Sequence, residues 1–473
     1  MLEKFSIREA IQEIKKVEPE NAALFENETT LIETYRKLVS HTFHLTHLER
    51  QKPYKDLISK KVSSLFGKED IRINFGEGLI VNTSDHHGIF NFPPFVSAHL
   101  LRGLGTILER EKYGDYFSLN AGNIPLNDIS HRRGLHFSQK HINLFPKQDK
   151  NKLVSRYPVY KFNMRERAAK SNEKFSESEL LQLDKFQELI NSVDFSNCSK
   201  LSDQISKINY HLWQHFFVAN LRDKVRKCIT LEHDEILSEF LCGFLKDKNT
   251  PLWRALFDPE VRDLVVERFH GIYGAWNYAG QGTGTFFFWG FNQQEGREFR
   301  YELQDGRLTN PQGKVEDVEL NPDMVIAQLR NGLLIPSIFT KFAVFTFYLG
   351  AKALGGPGQV AYLSRMKKTW KEVLLEIDPD EVALLDTVDT TNSVMLELFF
   401  RRNSNKLCRD WGLDLAYLDN ITLEYLENVK NVKARHGIMP LLREYYWKVT
   451  VPANRKTLDF NDQELYQGFS WVR

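Results

Sequence analysis

Cysteine is scarce in this chain: Cys198, Cys228, Cys242 and Cys408 are the only four in 473 residues. No two of them form a Cys-x-x-Cys pair, which argues against a zinc ribbon or a disulfide framework and favours a reducing, cytoplasmic setting. An excess of one charge sign is also missing, since 63 Lys and Arg face 62 Asp and Glu. The whole-chain balance therefore gives no electrostatic reason to expect nucleic acid or an anionic membrane as a partner. No apolar run reaches the roughly 20 residues that cross a bilayer. The most apolar stretch, 333–354, is interrupted by Pro336, Lys341, Gly350 and Lys352 and reads as buried protein. The first residues are charged and amphipathic, without the apolar centre of a signal peptide.

Apolar residues are plentiful, at 42%, and the length exceeds the usual size of one compact core, so two or three substructures are expected. Residues 1–68 show helical spacing through Ile11, Ile14, Leu31, Tyr35, Leu38 and Val39. Over 69–164 the pattern becomes strand, turn, helix, strand: Leu79–Thr83, a helix opened by Pro93-Pro94, then Tyr116–Leu119. Two such strands joined by a helix form a βαβ unit and run parallel. Residues 165–268 read as a helical insertion with a capping box, Ser176-x-x-Glu179. Within it Leu201, Ile205, Ile208, Leu212 and Phe216 make a coiled-coil-like seam, a spacing that suits an intrachain hairpin and a homodimer equally. Residues 269–375 return to the core, with a β-hairpin around Asn292-Gln293-Gln294-Glu295-Gly296. Residues 376–473 read as a helical region without a decisive motif. The fold class is α/β, a parallel-sheet core carrying a helical insertion and a hairpin.

Chemistry concentrates where the first strand ends, at Thr83-Ser84-Asp85-His86-His87-Gly88. In an open α/β sheet strand C-termini and helix N-termini converge on one crevice, so reactive groups belong there. Asp85, His86 and His87 are the catalytic candidates, with Thr83, Ser84 and Gly88 beside them for binding. If extended geometry persists, His86 and His87 face opposite sides, Asp85 shares the side of His87, and one histidine alone enters the crevice; a turn relaxes this. The second strand also ends in a polar turn, where Asn120, Asn123 and Asn127 can hydrogen-bond a ligand. Farther on, Gly355-Gly356-Pro357-Gly358-Gln359 stands between an apolar run and a new helix. Such a turn permits close backbone approach and exposes helix N–H groups. Gly280, Gly282 and Gly284 alternate ahead of an aromatic strand, an arrangement that does not match the dinucleotide fingerprint.

Three segments in this order resemble the bacillithiol-biosynthesis cysteine-adding enzyme family. They are Ile80-Val81-Asn82-Thr83 through His86, Gly88, Phe90 and Pro93; Asn321-Pro322 through Arg330, Leu333-Leu334 and Pro336; and Gly355-Gly356-Pro357-Gly358-Gln359 with Ala361-Tyr362. The resemblance implies a Rossmann-like core with a helical arm and a nucleotide site for ATP or ADP. It also implies a ligase-like reaction joining an amino acid such as cysteine to an amine or sugar-amine in small-molecule biosynthesis. Arg330, Asn331, Gly355, Gly356, Gly358, Gln359 and Tyr362 become ligand-binding candidates with it. The chain departs from the family after the second strand, where an acidic-His-acidic cluster gives way to Asn120 through Asn127. Asparagine cannot exchange a proton near neutral pH.

Two other readings come from the same residues. Asp85-His86-His87 resembles the triplet of metal-dependent phosphoesterases, in which paired metal ions activate water. Those enzymes also need an upstream Asp-x-Asp strand end, and only Glu69-Asp70 precedes the triplet here. A non-catalytic homologue that retained the pocket and lost the acidic cluster is the other. The metal requirement is open in the ligase and ligand-binding readings.

Overall fold

The computed structural model of the chain describes residues 4–67, 71–109, 116–277, 284–450 and 454–472. Glu69-Asp70, Gly280 and Gly282 lie outside the described residues. Four helices open the chain: α1 (Ile7–Val17), α2 (Pro19–Phe25), α3 (Leu31–Val39) and α4 (Leu45–Phe66). Capping boxes start two of them, Ser6 with Glu9 on α1 and Thr30 with Glu33 on α3, each closing two otherwise orphaned N–H groups. Then follow β1 (Ile80–Asn82), α5 (Pro93–Leu104), β2 (Tyr116–Asn120), α6 (Glu177–Ser192), α7 (Leu201–His215), β3 (Cys228–Glu232) and α8 (His233–Phe244). The later chain supplies β4 (Phe288–Asn292), β5 (Arg297–Arg300), α9 (Pro322–Arg330), β6 (Leu334–Pro336), α10 (Ile338–Phe342), β7 (Lys352–Leu354), α11 (Pro357–Ile377) and α12 (Leu442–Val449).

The chain is mixed α/β, and four strands pair in an all-parallel sheet in the order β7-β1-β2-β3. The register sets Leu354 beside Asn82, Asn82 beside Ser118, and Asn120 beside Glu232. Gly355, Thr83, Ala121 and His233 therefore emerge along one edge. Strands buried on both faces normally read as continuous apolar runs. Here the two faces differ. Val81, Phe117, Leu119, Ile229, Leu231 and Ala353 form one apolar side, packed with Tyr54, Ile58 and Val62 of α4. Asn82, Tyr116, Ser118, Asn120 and Thr230 occupy the other, under α5 and α7.

That second face needs internal partners, because buried polar groups left unpaired cost about 1–3 kcal/mol each. Ser118 donates to Asn120 Oδ1, and Asn209 of α7 reaches Thr230 at 3.4 Å. His99 of α5, fully buried, bridges Asp85 and Tyr116.

The segment 165–268 is not an insertion into the sheet's sequence: it contains β3, an edge strand of that sheet. Its seam is spent within the chain. Leu201, Ile208, Leu212 and Phe216 are fully buried and Ile205 is 3% exposed, so this face of α7 is not free for a second copy. Each such side chain contributes about 1.5–3 kcal/mol on burial. The capping box at Ser176 and Glu179 does open α6. β4 and β5 pair antiparallel, and β6 joins β4 antiparallel, giving a separate sheet in the order β6-β4-β5. The apolar stretch 333–354 becomes β6, α10 and β7 inside the core. Among the described residues no helix is long and apolar enough to cross a membrane.

Candidate functional site

A cleft of about 890 Å³ opens at the C-terminal edge of the parallel sheet, where β1, β2, β3 and β7 all end. Thr83, Ser84 and His86 come from the end of β1, Ala121 and Asn123 from the end of β2, His233 from the end of β3, and Gly356 to Gln359 from the end of β7. Three later elements close it: β4 and β5 with Trp289 and Glu298, and α12 with Arg443, Tyr445, Trp447 and Lys448. The C-terminal region therefore forms a wall of the cleft.

Past β1 the chain stays extended alongside β2. His86 bridges Ala121 in parallel, Ala121 N–H donates to Asp85 O at 3.0 Å, and His87 N–H donates to Ala121 O at 2.8 Å. Side chains then alternate. His86 faces the cleft, whereas Asp85 and His87 turn inward, 2% and 0% exposed. The Asp-His-His triplet does not converge, and of the three expected catalytic residues Asp85 and His87 do not line the cleft. Asp85 pairs with His99 and accepts from Ser84 Oγ at 2.8 Å. His87 Nε2 lies 2.9 Å from Ser202 O, and burial pushes its ring down to about 4, so it stays neutral. Among the described residues no three His, Cys, Asp or Glu side chains are placed to hold a metal ion. The triplet therefore does not make the paired-metal centre of a phosphoesterase.

His86 is oriented by a residue from the second turn. Its Nδ1 lies 2.7 Å from Asp128 Oδ1, which also accepts from the N–H and hydroxyl of Ser130 at 2.9 and 2.6 Å. Burial tends to raise the Asp128 carboxyl, but the hydrogen bond and charge of His86 outweigh it and hold the group well below the usual carboxylate range. A carboxylate only accepts, so Nδ1 is the nitrogen that donates to Asp128, and in the neutral ring Nε2 is the one that can accept. This is the orientation of a general base held by a carboxylate.

Thr83 Oγ1 meets the Gln359 amide at 2.9 Å, tying the end of β1 to α11. Gly355 allows that contact: a Cβ there would come within 2.2 Å of Gln359 Cδ. Gly356 is the N-cap of α11 and Pro357 its first residue, and no side chain caps this end. The positive end of a 21-residue helix therefore faces the cleft. Lys448 Nζ stands 2.6 Å from where a Cβ on Gly358 would lie, and 5.5 Å from the centre of the Tyr273 ring. Tyr273 and Tyr362, with ring centres 5.9 Å apart, line the same side.

The remaining wall was not anticipated. Glu232-His233-Asp234 is an acidic-His-acidic run at the end of β3, one strand beyond the turn at Asn120 where the resemblance implies such a cluster. Glu232 accepts from the N–H groups of Asp234 and Glu235 at 2.8 and 2.9 Å and so caps α8. Asp234 pairs with Lys341 of α10. Both partners are nearly buried, at 4% and 6% exposed. Glu298 accepts from Asn123 Nδ2 at 3.5 Å.

Several expected binding residues lie elsewhere. Gly88 packs on His131, Asn120 is buried beneath the sheet edge, and Asn127 is exposed on the outside of its turn. Arg330 and Asn331 are exposed at the C-terminal end of α9, whose following strand belongs to the other sheet. Thr83, Ser84, His86, Asn123, Gly356, Gly358, Gln359 and Tyr362 share the one cleft, with Gly355 directly behind Gln359. Neither the models of known protein families nor the curated proteins give a match to this chain.

Proposed function

We propose that the protein is a ligase-like enzyme that joins an amino acid to an amine or sugar-amine, with ATP or ADP bound in the cleft of a Rossmann-like core. The resemblance to the bacillithiol-biosynthesis cysteine-adding enzymes motivates cysteine as the amino acid and a cytoplasmic biosynthetic role. The observation that carries the reading is the shared cleft: His86, oriented by Asp128, opens into the same space as the uncapped start of α11 and Lys448. These residues fit a nucleotide, because the helix end and Lys448 complement phosphate and the Tyr273 and Tyr362 rings offer aromatic surface for a base. When bound, the nucleotide supplies the group that activates a carboxyl. His86 Nε2 takes the proton from the attacking amine, and Asp128 stabilises the imidazolium that forms. The apolar walls, with Phe92, Phe95, Trp289 and Phe342, exclude water that would compete with the amine.

The test combines binding and turnover. His86→Asn is expected to retain ATP binding while amide formation from cysteine and a glucosamine acceptor falls by about 10²–10⁴-fold. If intact wild-type protein binds none of ATP, ADP and AMP, the ligase reading is wrong. Nucleotide binding without turnover by the wild type would favour a non-catalytic ligand-binding protein.

A further inference from the structure

Across the cleft from the phosphate-complementary end, the wall is short of positive charge. Asp234 and Glu298 stand there beside the ammonium of Lys341, with Glu232 next to Asp234, while Lys200 is engaged by Glu235 at 2.8 Å. Glu232 spends its oxygens on the α8 cap, and Asp234 is held by Lys341. Among the described residues Glu298 is left with the long contact to Asn123, the neighbouring Lys341 ammonium being engaged by Asp234. Burial, and then the charge of Asp234, push its carboxyl up to about 8, against the smaller lowering effects of Asn123 and Lys341. A proton held there at neutral pH stands where a cation would satisfy the wall.

His233 gives an independent sign of a ligand. It lines the cleft at 2% exposure, and its Nε2 has no hydrogen-bond partner among the described residues. Burial and Lys341 keep the ring neutral, so one of its nitrogens can accept. Buried polar atoms are rarely left unpaired; the ring packs edge-on against Tyr54 and Phe345, and the cleft that His233 lines is where a bound group would complete it. Trp289 stands diagonal to Glu298 across the β4–β5 pair, opposite Arg300 while Glu298 is opposite Phe291, and both line the cleft.

We propose that Glu298, His233 and Asn123 form the subsite for a primary ammonium group of the substrate, with the Trp289 ring beside it. A primary ammonium carries three N–H donors, and this wall offers a carboxylate, an imidazole nitrogen and an amide oxygen to accept them. The indole face adds a cation–π surface. The inference deepens the joining reaction proposed above and rests on it for the role of the amine, since an amino acid and a sugar-amine both bear this group. Its chemistry depends only on the wall itself.

The experiment follows the side-chain carboxyl carbon of Glu298 by NMR in [13C]glutamate-labelled full-length protein through a pH titration. Its signal is assigned by its disappearance in Glu298→Gln, or by its displacement in Glu298→Asp if the first variant does not fold. Methylammonium is expected to lower the apparent pKa of Glu298 by about one unit, a tenfold drop in proton affinity. Tetramethylammonium, which has no N–H donor, and sodium at the same ionic strength are expected to leave it within a third of that shift. His233→Asn is expected to reduce the methylammonium response. Equal shifts with all three salts, or none with any, would overturn the subsite, and a response confined to magnesium would make it a metal site instead. ATP binding measured on the same sample separates the two proposals: its absence with the methylammonium shift intact removes the joining reaction and keeps the subsite.

Discussion

Two Asp–His pairs start one residue apart in this chain and have opposite environments. Asp85–His99 is sealed beneath α5, its side chains 2% and 0% exposed. His86–Asp128 opens on the cleft, its side chains 36% and 15% exposed. The residue types are the same and the strand geometry decides their use, because the bridge between His86 and Ala121 turns adjacent side chains to opposite faces. The sealed pair has Tyr116 on its far nitrogen and meets the cleft through Ser84 Oγ, not with its own side chains, so its energy goes into the fold. The open pair leaves Nε2 of its histidine for a substrate, so its energy is available to chemistry.

The largest effect that separates the two is on stability. Leaving buried polar groups without their partner costs about 1–3 kcal/mol each; His99→Ala, which strands both Asp85 and Tyr116, is expected to show about 2–5 kcal/mol as a lowered urea midpoint. His86→Ala, in the half-exposed pair, is expected to cost no more than about 1 kcal/mol. Comparable losses from both would erase the distinction. In turnover the order reverses for conservative variants: Asp128→Asn, like His86→Asn, is expected to slow amide formation by about 10²-fold or more with the midpoint nearly unchanged.

Acid sharpens the same contrast through His87 and His131, both buried and both pushed down to about 4. In the unfolded chain these rings take up a proton near the ordinary value of 6.5. Between 6.5 and about 4 the unfolded state binds more protons, so stability is complete above 6.5 and falls as pH drops through this window. Each histidine contributes up to about 3 kcal/mol to the fall. Urea titrations at pH 7 and pH 5 measure it, and His87→Gln is expected to lessen the difference. The smallest effect is expected at Arg330: Arg330→Ala, exposed and remote from the cleft, should change stability by no more than about 0.5 kcal/mol and leave ATP binding intact.

How far these features can be read from sequence depends on the range of the interaction that creates them. Local rules found the parallel βαβ unit, the capping box at Ser176 and the opposite facing of His86 and His87, since alternation and capping involve neighbouring residues. Asp128 was visible at the end of the asparagine-rich turn but had no local mark as a partner, because the fold of the turn brings it back 42 positions to His86. Glu232-His233-Asp234 was hidden inside a stretch that reads as helix. A fully buried five-residue strand, Cys228–Glu232, interrupts that helical stretch and carries the cluster to the sheet edge. The contribution of α12 comes from the far end of the chain and has no periodic signature. Arg330 and Asn331 enter the site through the family resemblance, and the strand that follows them, β6, belongs to the other sheet.

The most direct test of the account is a calorimetric titration of ATP into intact wild-type protein and into Lys448→Ala. Lys448 is exposed beside the α11 start, so its loss should spare the fold. The cleft account predicts saturable binding to the wild type and about tenfold weaker binding to the variant, a difference of roughly 1.4 kcal/mol. No binding to the folded wild type, or equal affinity in the two proteins, would contradict it.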